Sequence, residues 1–412
     1  MKKFNVKTLY AYKFISGCLP IYAFYTILFI ERGQSETRIA LLLAIWSVFT
    51  ILFEVPSGIL ADRWNRRNML AIASALQGIC FFIWLFSYTF LMFTAGFIVW
   101  ALACAFSSGT EESLIYDNLK SDGNEEGFTK IYGKAKLFGN IGTFTGIASG
   151  GIIASFIDIE AIALISVIIC FVNVVFAMLI REKNFYYERL SRENGIEAPT
   201  DASIDATPGE EKTTLLETLK EAGVFIKGSR VALASIIFLV LFASLGGYLD
   251  EFDPLIINDF GLAYIWVSVI LVVRTAFVAL GDVLAPIVGK KVKSLRHIFM
   301  LNVVASLLLL AFAVTWNQYL IPIFGICFLI MAISEILLVN ILQNEIKEEG
   351  RATVMSFYGI GENAAMICLT LIYALLVGIF PLQYFYIIIS VYGILGGLSF
   401  YLIATRARKN PV

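Results

Sequence analysis

The chain has 412 residues, 59% of them hydrophobic and only 15% charged, with a net charge of −1. Soluble domains carry about 25% charged residues, and a soluble core of this length cannot hide so much apolar surface. The near-zero charge excludes the basic footprint of a nucleic-acid-binding protein.

Apolar runs of about twenty residues, the length that crosses a bilayer as a helix, recur along the whole chain. Barrel strands are ~10 residues long and alternate, so helices are expected. Twelve spans are predicted, at approximately 8–30, 38–60, 68–87, 91–113, 131–156, 159–181, 230–251, 262–288, 297–316, 318–341, 353–378 and 382–405. The first follows the basic start MKKFNVKTLYAYKF. It is too long for a signal peptide and no Ala-x-Ala site follows, so it reads as a retained span. Tyr12, Tyr22 and Tyr25 lie within it as candidate lining for a hydrophobic or amphipathic solute.

Lysine and arginine fix the orientation. With both termini inside, 28 of them fall on cytoplasmic segments, Arg32 and Arg38 fall outside, and Arg274 alone lies mid-span. An integral protein of a bacterial-style inner membrane, with cytoplasmic N- and C-termini, is expected.

Between spans two and three stands GILADRWNRRNML, from Gly58 to Leu70. Arg63, Arg66 and Arg67 obey the positive-inside bias. Asp62 does not, but an acid beside a helix N-terminus or among arginines is stabilised there by about 1 kcal/mol. Asn65 is expected to supply the positive φ of a tight turn, and Gly58 close helix approach. The pattern resembles the loop signature of the major facilitator superfamily, G-x-L-A-D-R-x-G-R-(R/K). Gly58, Asp62, Arg63, Arg66 and Arg67 match in place, and Asn65 replaces the usual Gly. In that family the Asp and Arg latch helix ends in the outward-open state. The resemblance implies that Asp62, with Arg63 or Arg66, gates alternating access; a topological anchor is the plainer alternative.

Span four departs from the family's proton-linked exporters: their R-x-x-Q-G has Ala105 at the Arg position and Ser108 at the Gln position, with Gly109 fitting the end. In span five, Gly133, Gly142, Gly146, Gly150 and Gly151 are similar to the family's antiporter motif, G-x8-G-x3-G-P-x-x-G-G, with Ile147 in place of Pro. The resemblance implies export. Glycines four apart also serve ordinary helix packing.

A polar segment follows span six. GIEAPTDASIDATPGEEK has a linker composition, and Leu215, Leu219, Ala222 and Ile226 recur at helical spacing, as in a helix lying along the membrane surface. Residues 1–181 and 230–412 are then two six-helix halves joined by a cytoplasmic linker, 182–229. An offset of 223 residues supports the division, pairing Glu112 with Glu335, Asp117 with Asn340, Gly127 with Gly350 and Asn140 with Asn363. The expected fold is thus an all-α membrane protein with two pseudo-symmetric six-helix halves.

Ionisable residues inside a membrane are expensive and read first as functional. The candidates for proton coupling are Glu335, Glu362, Glu112 and Glu54. Spans four and ten line the cavity in the resembled family, which implies that Glu112 and Glu335 face each other. Glu111 reads as reaching interface water. Arg274 and Asp282, eight residues apart, are either a static ion pair or a substrate contact, and Arg274 suits an anionic group. The acidic stretch YLDEFDPLIIND ends span seven on the outer side and reads as a solvated acidic vestibule, with attraction of cations as the functional alternative.

The one histidine, His297, forms no catalytic or metal motif alone, no phosphate-binding G-x-x-x-x-G-K-(S/T) occurs, and the six cysteines lie in apolar runs without ligand spacing. No enzyme activity, cofactor or metal is expected. The reading is a secondary transporter with a small-molecule substrate, protons and the lipid bilayer as partners, for which a monomer suffices. Proton-coupled export of an amphipathic or hydrophobic compound such as a drug comes first. A metabolite or siderophore transporter in either direction is the alternative, and a non-transporting receptor is the rival from another class.

Overall fold

A computed structural model describes residues 5–121, 127–182, 230–292, 294–345 and 351–409. Among these, ten helices are long and apolar enough to cross a membrane, and two shorter apolar stretches, Leu233–Phe242 and Gly361–Val377, bring the spans to twelve. The surface helix expected around Leu215–Ile226 falls outside the described residues.

Spans two, three, five and six are the helices Glu36–Arg63, Arg66–Leu85, Phe128–Phe156 and Ile159–Leu179. Spans eight, nine, eleven and twelve are Tyr264–Gly289, Leu295–Thr315, Arg351–Val377 and Leu382–Lys409. Span ten is Ile321–Glu345, preceded by the single turn Gln318–Leu320. Contacts divide the chain into two compact units. The first comprises Met1–Tyr22, Val48–Ile153 and Ile157–Thr214; the second comprises Ala23–Ser47, Ala154–Phe156 and Leu215–Val412.

Spans one, four and seven are interrupted, each for a local reason. Span one runs as Val6–Gly17, a 3-10 turn Pro20–Ala23, and Tyr25–Glu31. Pro20 has no N–H and its ring blocks continuation of the helix. The freed Ile21 N–H donates to the buried Ser166 Oγ of span six at 3.2 Å. In lipid a released backbone group needs such a partner. Span four runs as Phe90–Ser107 and Thr110–Ser121. It breaks at Gly109, whose φ of +65° is cheap only for glycine. Span seven runs as Arg230–Phe238, a π turn Leu239–Ala243, and Ser244–Asp259.

Two expectations are corrected here. Span seven does not end at 251: its helix continues to Asp259, so Asp250, Glu251 and Asp253 lie on the helix and not in an outer loop. Hydropathy places the end at the charges, but these charges have partners within the protein. Asn65 does not take a positive φ; at φ −63° and ψ 121° it is the extended residue before span three. A helix start needs only one extended residue, and the turn is made without left-handed backbone.

Span five packs on the break in span one through its glycines. A Cβ at Gly142 would lie 2.1 Å from the Phe14 carbonyl oxygen, and one at Gly146 would lie 2.7 Å from the Leu19 nitrogen. From the other side, a Cβ at Gly17 would meet the Gly139 carbonyl at 2.3 Å. An apolar cluster of the first unit includes Leu9, Leu70, Leu114, Leu119, Ala135 and Ile180.

Candidate functional site

The signature loop is only partly described. Gly58, Asp62 and Arg63 belong to the helical backbone of span two, and their side chains lie outside the described residues. Arg66 ion-pairs with Asp117 in the C-terminal segment of span four and donates to the Ser113 carbonyl at 2.8 Å. The first two N–H groups of span three, those of Arg66 and Arg67, donate to the two carboxylate oxygens of Glu182 at 2.7 and 3.0 Å. An acid does cap this helix N-terminus, and it comes from just beyond span six. Local sequence carries no sign of a cap 116 residues away.

The first unit holds a cavity of about 560 Å³ among spans one, three, four and five. The end toward Glu111 and Glu112 is charged. Lys13 Nζ donates to Glu111 at 2.6 Å, the Tyr132 hydroxyl donates to Glu112, and Lys136 Nζ lies 4.8 Å from the Tyr132 ring centre. Its inner end is aromatic and amide-bearing. Tyr22 stacks on Trp100, with ring centres 5.8 Å apart, and Gln77 donates to the Tyr22 hydroxyl. Trp100 is in turn held edge-on by the fully buried Trp84, at 5.5 Å. Gly96 makes room for that tryptophan: a Cβ there would lie 2.3 Å from Trp84 Nε1.

Tyr12, Tyr22 and Glu112 therefore line one cavity, while Tyr25 is not among its lining residues. Lys13, Gln77, Trp100 and Lys136 line it as well, and the sequence assigns the two lysines to topology alone. The usable signal was depth, because Lys13 sits seven residues inside the helix that begins at Val6. Gly142 and Gly146 pack against span one, and Gly133 has open space beside it. Gly150 and Gly151 are helical residues of span five.

In the second unit, Arg274 has partners other than the one expected. It ion-pairs with Asp250 and with Asp253, the latter at 2.7 Å, and its guanidinium lies 4.9 Å from the centre of the Phe328 ring. The expected pair with Asp282 is thus replaced: that residue is exposed, two helical turns farther along span eight, while the two aspartates approach from span seven. The Asp253 side chain is 2% exposed, and its Oδ1 has no hydrogen-bond partner. Glu251, between the two aspartates in sequence, accepts a hydrogen bond from the Tyr25 hydroxyl. Three carboxylates thus gather around one guanidinium.

Glu335 borders a small void of about 30 Å³ beside the π turn, with Asn302 and Ser334. It lies within electrostatic reach of Glu362 and Asp282, and Glu362 is hydrogen-bonded by Tyr358, one turn away on its own helix. Glu54 is exposed in the C-terminal third of span two. Among the described residues, no group of three or more His, Cys, Asp or Glu side chains is arranged to hold a metal ion.

A sequence model of the Major Facilitator Superfamily matches residues 14–366. The chain is 33% identical over 69 residues to the uncharacterized MFS-type transporter YfkF of Bacillus subtilis (strain 168), a match spanning 17% of this chain and 16% of that protein. A mutant form of the nucleoside transporter NupG shares the fold with a TM-score of 0.78 at 15% identity, over 96% of this chain and 99% of that one. A D-xylose–proton symporter does so with a TM-score of 0.68 at 12% identity, over 96% and 95%. With the family match running across most of a twelve-span chain, the chain belongs to the major facilitator superfamily.

Proposed function

We propose that this protein is a proton-coupled secondary active transporter of a small amphipathic organic solute, working by alternating access. The observation that carries the reading is the cluster around Arg274. Buried ion pairs are costly unless charges balance, and here Asp250, Glu251 and Asp253 outnumber the single guanidinium. A proton halves that excess, and the unpartnered Asp253 Oδ1 is an oxygen able to take it. Intramembrane acids of this kind are the usual material of proton relays. Asp253 therefore precedes Glu335, Glu362, Glu112 and Glu54 as the coupling acid.

The polar and charged lining of the first-unit cavity favours a metabolite-like solute over a purely hydrophobic drug. A siderophore reading loses its support, since the cation meant for the anionic chelator is already paired. The export direction draws on the span-five glycines by resemblance, and their close contacts serve packing.

The test is purified protein in proteoliposomes with a trapped pH dye, offered lipophilic cations, amphipathic antibiotics, siderophores and polar metabolites. The expected result is solute-dependent proton flux, lost in Asp253→Asn that elutes as a folded monodisperse protein. Flux unchanged in Asp253→Asn, Glu335→Gln and Glu362→Gln alike would remove proton coupling through these acids. No flux with any solute would overturn the reading.

A further inference from the structure

We infer that the solute of the first-unit cavity is a small zwitterion bearing an aromatic ring, the class of aromatic amino acids and their short peptides. The inference rests on reading this protein as a carrier of a small solute, and it does not require proton coupling.

Four charged side chains line the charged end of the cavity, and they are not equivalent. Lys13 and Glu111 neutralise each other at 2.6 Å. Glu112 and Lys136 do not pair with each other. Both are held on Tyr132, the carboxylate by the hydroxyl and the ammonium against the ring, yet no ion pair between them occurs among the described residues. An opposite-charge pair kept apart on one tyrosine is arranged for a guest that supplies both counter-charges. A primary ammonium meets Glu112, and a carboxylate meets Lys136. The buried, unpartnered Glu111 Oε1 offers the ammonium a further acceptor.

Neither a simple anion nor a simple cation satisfies this arrangement, because each leaves one charge of the pair unanswered. A guest that answers only one of the two charges forgoes a charge-assisted hydrogen bond at the other. The opposite end of the same cavity is the stacked Tyr22–Trp100 wall, anchored from behind by Trp84. Aromatic side chains recognise planar groups by offset or edge contacts with ring centres about 4.5–7 Å apart. Charge of both signs at one end and a ring wall at the other match a zwitterionic head with an aromatic tail.

The experiment is equilibrium binding to the full-length protein in detergent, without a proton gradient. The probes are L-phenylalanine and the dipeptide L-alanyl-L-phenylalanine. Each is compared with its N-acetyl derivative, which lacks the ammonium, and its carboxamide, which lacks the carboxylate. A lost charge-assisted hydrogen bond corresponds to about tenfold in affinity or more. At least one parent probe is therefore expected to bind about tenfold tighter than either derivative. In Glu112→Gln the advantage over the N-acetyl derivative disappears while the advantage over the amide persists; in Lys136→Met the pattern reverses. A merely misfolded variant would lose both together. No preference for the parent probes over the blocked forms, in the wild-type protein, overturns the inference. Preference with no proton flux in liposomes sinks proton coupling alone and leaves the solute class standing.

Discussion

Glu182 shows how one residue can be doing two opposed things. Its carboxylate accepts the first two N–H groups of span three, at 2.7 and 3.0 Å. An anion at a helix N-terminus contributes about 0.3–1 kcal/mol at the surface and up to ~2 kcal/mol when partly buried. Yet burial outweighs these bonds and the two nearby arginines, and raises the carboxyl above its ordinary value. A carboxyl raised in the folded state adds stability below its unfolded pKa of about 4.3 and loses it as pH rises through the folded value. Around neutral pH the ionised group is therefore a net cost. Glu182→Gln keeps one acceptor oxygen and removes the buried charge, so it is expected to melt at or slightly above the wild-type temperature at neutral pH. Its advantage should shrink as pH falls toward about 4. Melting curves of the two purified proteins across that range check this; an advantage that grows toward acid would show that the bonds outweigh burial. The arginines of this site were legible in sequence from one compact motif, and Asp117 from the repeat. Glu182 was not, because a capping residue from another helix leaves no local pattern.

At the scale of elements, the interruptions matter more than the helices. The break in span one was written in Pro20, and its consequence follows from backbone chemistry: Ile21 needs the Ser166 hydroxyl, and the bent segment needs a smooth neighbour. Gly142 and Gly146 supply that surface, and the antiporter-like pattern did not by itself say against what they pack. The two functions of the pattern separate by position. Gly142→Ala drives a methyl to 2.1 Å from the Phe14 carbonyl, and overpacking of this kind costs about 1–3 kcal/mol. Gly133→Ala has nothing within 4 Å and gains helix propensity of up to about 1 kcal/mol. Thermal melts should show Gly142→Ala destabilised and Gly133→Ala equal to or above wild type. Equal behaviour of the two would mean that the glycines do not act through contact with span one. The π turn of span seven carries no comparable sequence mark, since Leu239–Ala243 reads as ordinary apolar helix. The outer end of that span was misplaced because acidic residues look like a loop until their partners, Arg274 and Tyr25, are found on other spans.

For the whole molecule, the span number follows from apolar length, and the expected orientation from the distribution of 31 lysines and arginines. Those properties do not explain Asp62, an acid within a segment expected to be cytoplasmic, whose arginines already satisfy topology. If the segment only anchored the chain, removing its acid would leave both the positive-inside bias and transport intact, because the bias counts lysines and arginines. If it is the cytoplasmic latch that the family pattern implies, one conformational state loses a charge pair and the population shifts away from that state. Differences of about 1.4 kcal/mol change such a population tenfold. Asp62→Asn is therefore expected to insert and express like wild type, with its termini still cytoplasmic by protease accessibility, while transport in vesicles falls about tenfold. Wild-type transport rates in that variant would return the motif to anchoring, and a change of topology would mean that the acid acts during insertion. Only insertion without transport makes the loop a moving part.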